Sequence, residues 1–256
     1  MLALWVVHTW CFDAFDISPY LIVNSPEKRC GKTTVLIILQ FVTRRSELAS
    51  NISPAAIYRY IEKEEPTLLI DEADSFLKSN DELRGILNSG HTKAAAYVIR
   101  TVEISGDHVA KRFSTWAPKA IATIGDLADT LADRSITINM QRKRGDQHVE
   151  RLRRRDNAEF AQLRRMALRW ANDNTEAISA ADEHVEVPAE LHDRAADNWR
   201  PLFAIADRAG GDWPKLARAA ALALSGVDEP NSVSTLILAD IRAAFRPVRA
   251  KWRPRF

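Results

Sequence analysis

Two short stretches carry the residues best suited to chemistry. The first, "NSPEKRCGKTT" at 24–34, closes with Gly31, Lys32 and Thr33. A tight loop running into a helix that begins with a lysine and a hydroxyl residue suits a nucleoside triphosphate. Backbone N–H groups point inward, the ammonium meets the distal phosphates, and the hydroxyl meets a metal ion. The pattern G-x-x-x-x-G-K-[ST] supplies these groups, and the loop here has the right length. Pro26, however, stands where the first glycine normally does. Proline brings no N–H and fixes φ. Such cradles draw most donors from their second half, residues 29–34 here, so the loss is survivable if another entry turn replaces the glycine one. The alternative is a capped helix with an incidental lysine. Ser25, Lys28, Arg29, Cys30, Gly31, Lys32, Thr33 and Thr34 are the expected nucleotide contacts.

The second stretch is "TLLIDEAD", an apolar run ending in Asp71 and Glu72. With a triphosphate bound, Mg²⁺ needs a hydroxyl and an acid, and a further carboxylate must polarise the attacking water. Thr33 and Asp71 suit the metal, and Glu72 suits the water. A solvated acidic turn is the plain alternative. The letters "DEAD" carry nothing more, because the remaining motifs of DEAD-box helicases are not visible; Ala73 and Asp74 receive no role.

A third stretch, "KAIATIGDLADTLADRSITINM", has the layout of ring-forming ATPases: a strand with a polar end, a short helix, then an arginine before another strand. Thr123 either senses the γ-phosphate or is a buried strand hydroxyl. Arg134 either reaches into a neighbouring subunit's site or pairs with Asp133 or Asp129. An arginine finger can be worth about 10³–10⁵ in rate. Farther on, Arg194 or Arg200, with Arg194 preferred, either contacts the γ-phosphate from a helical lid or pairs with Asp193 or Asp197. Asn88 is a further candidate to orient Glu72 or its water.

These residues need elements to hold them. "YLIV" at 20–23 reads as a buried parallel strand feeding the loop, and 32–45 as the helix after it. Ser53 and Pro54 open a second helix, and "TLLI" is a second buried strand. "DELRGILNSG" is a helix closed by Gly90. "AYVIRTVEI" and "VAKRFSTW" are two strands joined around "SGDH", with a spacing that argues against a tight two-residue turn. "KAIATIG" and "SITINM" complete the strands. The expected class is α/β with a largely parallel sheet. Beyond residue 140 the pattern turns to alanine-rich helices: "AEFAQLRRMALRWA", "ELHDRAADNWRPLFAIADRA", "WPKLARAAALAL" and "SVSTLILADIRAAF". "NTEAISAADEHVEVP" reads as a linker. The division is therefore a 1–140 core and a 141–256 all-α lid region.

Composition sets the outer bounds. The chain has 256 residues, 46% hydrophobic and 27% charged, too apolar for disorder. A net charge of +2 hides an acidic cluster at 62–82 and basic runs at 142–155 and 242–255. Two cysteines make no disulfide framework, which points to a reducing cytoplasm. The histidines lack metal-ligand spacing, so no zinc is expected. The apolar opening "MLALWVVHTWCF" is too short to span a bilayer and reads as a core helix. A chain opening on a buried helix is expected of a fragment, or of a module whose partner domain is missing. The 142–155 stretch, with Arg142, Lys143, Arg144, Arg151, Arg153, Arg154 and Arg155, is either a solvated helix face or a phosphate-neutralising patch. Lys111 and Arg112 are candidate contacts to single-stranded DNA. The tryptophans, including Trp199 and Trp213, read as core.

Taken together, "NSPEKRCGKTT", "NISPAAIYRYIE", "TLLIDEAD", "LRGILNSGHT", "WAPKAIATIG" and "DRSITI" resemble a P-loop domain family of unknown function, number 3631. That family occurs in replication proteins of phages, plasmids and mobile elements, often beside primase-type modules. The resemblance spans roughly residues 1–245. It implies a P-loop NTPase of the AAA+ or superfamily 3 helicase type, using ATP and Mg²⁺, forming a homo-oligomeric ring on DNA beside a primase or other replication partner. It also implies that Ser25-Pro26-Glu27-Lys28 is the family's usual loop entry. Relatives continue past "LILADIRAAF", so a truncated or split replication protein is expected. A nucleotide-gated loader without unwinding activity, or an inactive remnant, are the other readings.

Overall fold

The computed structural model describes residues 1–225, apart from 76, 78, 79, 126, 150, 151 and 153–156. The expected helix at 232–245 lies outside them. Helix α1 (Leu2–Trp10) leads through a 3-10 turn (Phe12–Ala14) to strand β1 (Tyr20–Ser25). Then come α2 (Lys32–Val42), β2 (Ser46–Ala49), α3 (Pro54–Glu64), β3 (Thr67–Ile70), a 3-10 turn (Ala73–Ser75) and α4 (Asp81–Ser89). An excursion of β4 (Tyr97–Ile104) and β5 (Asp107–Ser114) precedes β6 (Lys119–Ile124), α5 (Asp129–Ala132) and β7 (Ser135–Asn139). Three helices follow: α6 (Asn157–Ala181), α7 (Asp193–Ala209) and α8 (Trp213–Leu224).

The fold is mixed α/β. Five strands form an all-parallel sheet in the order β2-β3-β6-β1-β7, and β4 and β5 form a separate antiparallel pair. Parallel strands covered on both faces must be apolar throughout, and "YLIV" and "TLLI" are fully buried for that reason. Leu21, Val23, Ala120 and Ala122 turn to one side, where α1, α2, α6, α7 and α8 build a single cluster around Trp5, Leu36, Trp199 and Phe203. Tyr20, Leu68, Ile70 and Ile121 turn to the other, against Ile57 and Ile61 of α3, Leu83 and Leu87 of α4, and Leu131 of α5.

The local sequence explains most element ends. Ser53 Oγ caps α3 by accepting from the Ala56 N–H, with Pro54 in the first turn. Trp5 is buried at no solvation cost because its indole N–H donates to the Pro19 carbonyl at 3.0 Å. Three sequence expectations need correction. β4 and β5 are joined by a two-residue turn, Ser105-Gly106, because both residues adopt positive φ (55° and 91°), the geometry that matches strand twist. Asp107 and His108 are thereby strand, not turn. Residues 174–181, expected as linker, continue α6; Asn174 and Thr175 fold their side chains back on the carbonyls of Trp170 and Ala171, and Ile178 is buried. The short edge strand β2 was not foreseen, its "SELA" lacking a continuous apolar run.

Lys119, at the start of β6, is fully buried; its ammonium donates to the carbonyls of Thr115 and Ala117, both at 2.9 Å, near the ring of Tyr20. Burial pushes its pKa down to about 7. Gly90 makes room for this arrangement: a Cβ there would lie 2.2 Å from the Thr115 carbonyl oxygen and 2.3 Å from Lys119 Nζ. Gly90→Ala is therefore expected to cost about 2–3 kcal/mol, read as a lowered urea midpoint at unchanged slope.

Helix α7 is pinned to the sheet through buried polar groups. Asn198 donates to the Asp133 carbonyl at 3.0 Å, and its Oδ1 meets His91 Nε2 at 2.8 Å. Since Oδ1 is an acceptor only, Nε2 carries the proton in neutral His91. Burial pushes His91 down to about 4 and His8, stacked on Phe15, down to about 3. Both lie below the unfolded value, so the unfolded chain takes up protons first on acidification. The stability that these two neutral histidines confer should be complete above pH 6.5 and fall as pH drops towards 4, by on the order of 1 kcal/mol per pH unit per histidine. Urea midpoints between pH 7 and 4.5 check this, with a shallower slope expected for His91→Gln.

Candidate functional site

All five parallel strands present their C-terminal ends on one side, and the 24–34 loop crosses there between β1 and α2. Gly31 closes the loop at φ 88°, a left-handed conformation that glycine adopts without strain, and it sits over Met140. Arg29 also has positive φ, 66°. The chain so turned releases α2 with Lys32, Thr33 and Thr34 in its first turn, whose N–H groups have no intrahelical acceptor. Lys28 and Arg29 are exposed on the loop, and Cys30 is buried beneath it.

Inside this cradle the side chains are already connected. Lys32 Nζ donates to Ser25 Oγ at 2.6 Å, and Ser25 Oγ donates to the Glu27 carbonyl at 2.7 Å. Ser25 thus braces the loop entry where Pro26 offers no N–H. Thr33 Oγ1 donates to Asp71 Oδ2 at 2.8 Å. The other Asp71 oxygen accepts from the Glu72 N–H at 2.9 Å. Asp71 is nearly buried, while Glu72 is exposed and bent to φ 53°. A hydroxyl beside a carboxylate is a hard-oxygen pair that fits Mg²⁺, an ion that keeps several waters and needs few protein ligands. No group of three or more His, Cys, Asp or Glu suited to a metal occurs among the described residues.

Other expected site residues lie elsewhere. Thr123 is buried in β6 with its hydroxyl unpartnered among the described residues, and it faces the α3–α4 side of the sheet, away from the Thr33–Asp71 pair. Arg134 is half-buried at the start of β7, where Nη1 donates to the Thr130 carbonyl at 2.7 Å. Asn88 donates to Thr130 Oγ1 at 3.2 Å, so it joins Arg134 and not Glu72. Arg194 pairs with Asp133 at 3.4 Å, the residue next to Arg134, and not with Asp193 or Asp197. Five residues of β7 separate this group from the loop, about 17 Å of extended chain.

Lys111 and Arg112 sit on successive positions of β5 and so point to opposite faces. Lys111 shares its face with Arg100 and Phe113; Arg112 lies over the ring of Tyr97, 3.3 Å from its centroid, on the face of the exposed Ile99. Arg142, Lys143 and Arg144 are exposed, and Arg151 and Arg153–Arg155 lie outside the described residues. Trp199 is core, whereas Trp213 at the start of α8 is 41% exposed. No helix among the described residues is long and apolar enough to cross a membrane. Asp74, given no role from sequence, accepts from the Ile124 N–H at 3.1 Å. The available signal was a third carboxylate one turn beyond the strand end.

Comparison with known proteins adds the following. A family model described as a protein of unknown function (DUF3631) matches residues 139–252, so the 24–34 loop and the acidic strand lie outside the matched span. A 66-residue stretch is 48% identical to an uncharacterised 28.9 kDa protein in the xis 5′ region of Saccharopolyspora erythraea; it covers 25% of each chain. Among solved structures, a chain described as SCCmec type IV Cch, an active helicase, is similar at a TM-score of 0.47 and 12% identity, over 94% of this chain and 47% of that one. This chain thus spans about a quarter of the curated relative and just under half of the helicase chain it matches.

The oxygen pair carries its own prediction. Mn²⁺, a spectroscopic substitute for Mg²⁺, should bind more weakly to Asp71→Asn and to Thr33→Val than to wild type, by roughly tenfold or more, in an electron paramagnetic resonance titration with ADP present. Equal retention by all three proteins counts against the assignment.

Proposed function

We propose that the chain is a Mg²⁺-dependent P-loop ATPase of AAA+ type, working as a helicase-like DNA motor in replication of a mobile element. Residues 1–140 form the ATPase core and 141–256 the helical lid. The observation that carries the reading is the Thr33–Asp71 contact beneath a lysine-bearing helix N-terminus. The loop amides of 29–34 and Lys32 bind the β- and γ-phosphates, with Lys32 leaving Ser25 for the nucleotide. Thr33 and Asp71 would hold Mg²⁺, which would supply positive charge against the phosphates. Glu72, exposed beside Asp71, accepts the proton of the attacking water. Thr123, on the opposite face of the sheet, is coupled to the γ-phosphate state only indirectly, through the end of β6.

Arg134 and Arg194 lie together at the opposite end of β7, so both are offered to the γ-phosphate of a neighbouring subunit in a homo-oligomeric ring. The β4–β5 hairpin and the basic 142–155 stretch contact single-stranded DNA, with Arg112 and Lys111 on separate faces of the hairpin. Both the mobile-element setting and a primase-type partner follow from the sequence resemblance. A nucleotide-gated loader without unwinding activity shares the same cradle and is the alternative.

ATP turnover measured with and without single-stranded DNA tests the reading. Glu72→Gln should retain nucleotide and lose turnover by about 10²-fold or more, and Arg134→Ala should lose about 10³-fold while binding nucleotide normally. Mixing the two variants should restore part of the rate, because Glu72→Gln subunits still lend Arg134 to intact sites next door. No recovery on mixing argues against action in trans. A rate indifferent to DNA and to assembly supports the loader, and an absence of nucleotide binding ends the whole assignment.

A further inference from the structure

The turn after β3 connects to the neighbouring strand in a way that the roles above leave unused. β3 ends at Ile70, its last pair being with Ile121, but β6 runs on to Ile124. N–H groups along a strand point alternately to its two neighbours. The Gly125 N–H reaches the Ser25 carbonyl on the β1 side at 3.1 Å, so the Ile124 N–H faces the other side, beyond the end of β3. A buried N–H left there without an acceptor would be costly. Asp74, in the 3-10 turn that continues β3, supplies one: its Oδ1 accepts from Ile124 at 3.1 Å.

The same turn fixes Glu72. Its carbonyl accepts from both the N–H and the hydroxyl of Ser75, at 3.0 and 2.7 Å, and its N–H donates to Asp71. Glu72 is held at φ 53°, a conformation that non-glycine residues keep only when their surroundings enforce it. On the other side of Asp74, the buried Thr123 hydroxyl, unpartnered among the described residues, precedes Ile124 directly. Asp74 and Thr123 line one cavity of about 30 Å³, room enough for a water.

We propose that Asp74 is a positioning residue: its carboxylate ties the Glu72 turn to the end of β6, so that the water-activating group and Thr123 move as one unit. This rests on the ATPase reading. Loss of the tie lets Glu72 leave its enforced conformation without disturbing the loop that binds phosphates, because Asp74 bonds the end of β6 and not that loop among the described residues.

The test is steady-state turnover with nucleotide affinity measured separately, on wild type, Asp74→Ala and Asp74→Asn. Asp74→Ala should lower kcat about ten- to a hundredfold while nucleotide Kd and KM stay within about threefold. Asp74→Asn keeps an acceptor oxygen and should recover most of the loss. Hydrogen exchange at the Ile124 amide should quicken about tenfold or more in Asp74→Ala and little in Asp74→Asn, a readout independent of activity. An unchanged kcat in Asp74→Ala, a loss confined to nucleotide affinity, or equal damage in both variants overturns the assignment. Wild type without turnover removes the ATPase reading itself; active wild type with an unaffected Asp74→Ala removes only the role of Asp74.

Discussion

One bond organises this molecule: the hydroxyl of Thr33, in the first turn of α2, on the carboxylate of Asp71, just past β3. The two residues belong to strand–helix units that are not sheet neighbours, since β6 lies between β1 and β3. Three strands must therefore be in register before the contact can form. Small residues make this feasible. Ala120 and Ala122 present only methyl groups to the α2 side of β6, so the helix lies close across the sheet. Larger side chains there would lift α2 and open the gap between hydroxyl and carboxylate. A loop and an acid distant in sequence become one site because parallel strands deliver all their C-terminal ends to the same edge.

The helices beyond residue 140 are held by the same core. Ala171 and Ile178 of α6 and the buried face of α7 share one apolar cluster with α1 and β1. The polar link from His91 through Asn198 to the Asp133 carbonyl fixes α7 near Arg134. Arg194 enters the arginine group at the start of β7 for this reason, and this position was hidden in a sequence that offered acids only on its own helix.

Much of the fold was legible because its signals are strong and local. Continuous apolar runs marked β1 and β3, Ser53-Pro54 marked the start of α3, and Gly90 the end of α4. Failures came where a local signal was ambiguous or a tertiary contact decided. "SELA" is too short and polar to announce a strand, and the polar stretch 174–181 stays helical through side chains that bond back to their own helix. Around the candidate site, the types and spacing of Lys32, Thr33 and Asp71 were readable. The placement of Thr123 on the other face of the sheet, and the Asp74–Ile124 bond, depend on strand parity and on where β3 stops relative to β6. Neither is written in any one segment.

The β4–β5 ribbon has a mechanical consequence. Eight residues pair without a bulge on each arm, and the tight turn at Ser105-Gly106 leaves no slack at its tip. Such a ribbon transmits a push along its length. It is fastened twice, at its root by Glu62 of α3 accepting from the Ser114 N–H and halfway along by Arg100 paired with Glu82 of α4. Force applied at the far end is thus delivered to α3 and α4, the helices that precede and follow β3 and its acidic turn in the chain, making the ribbon a stiff lever.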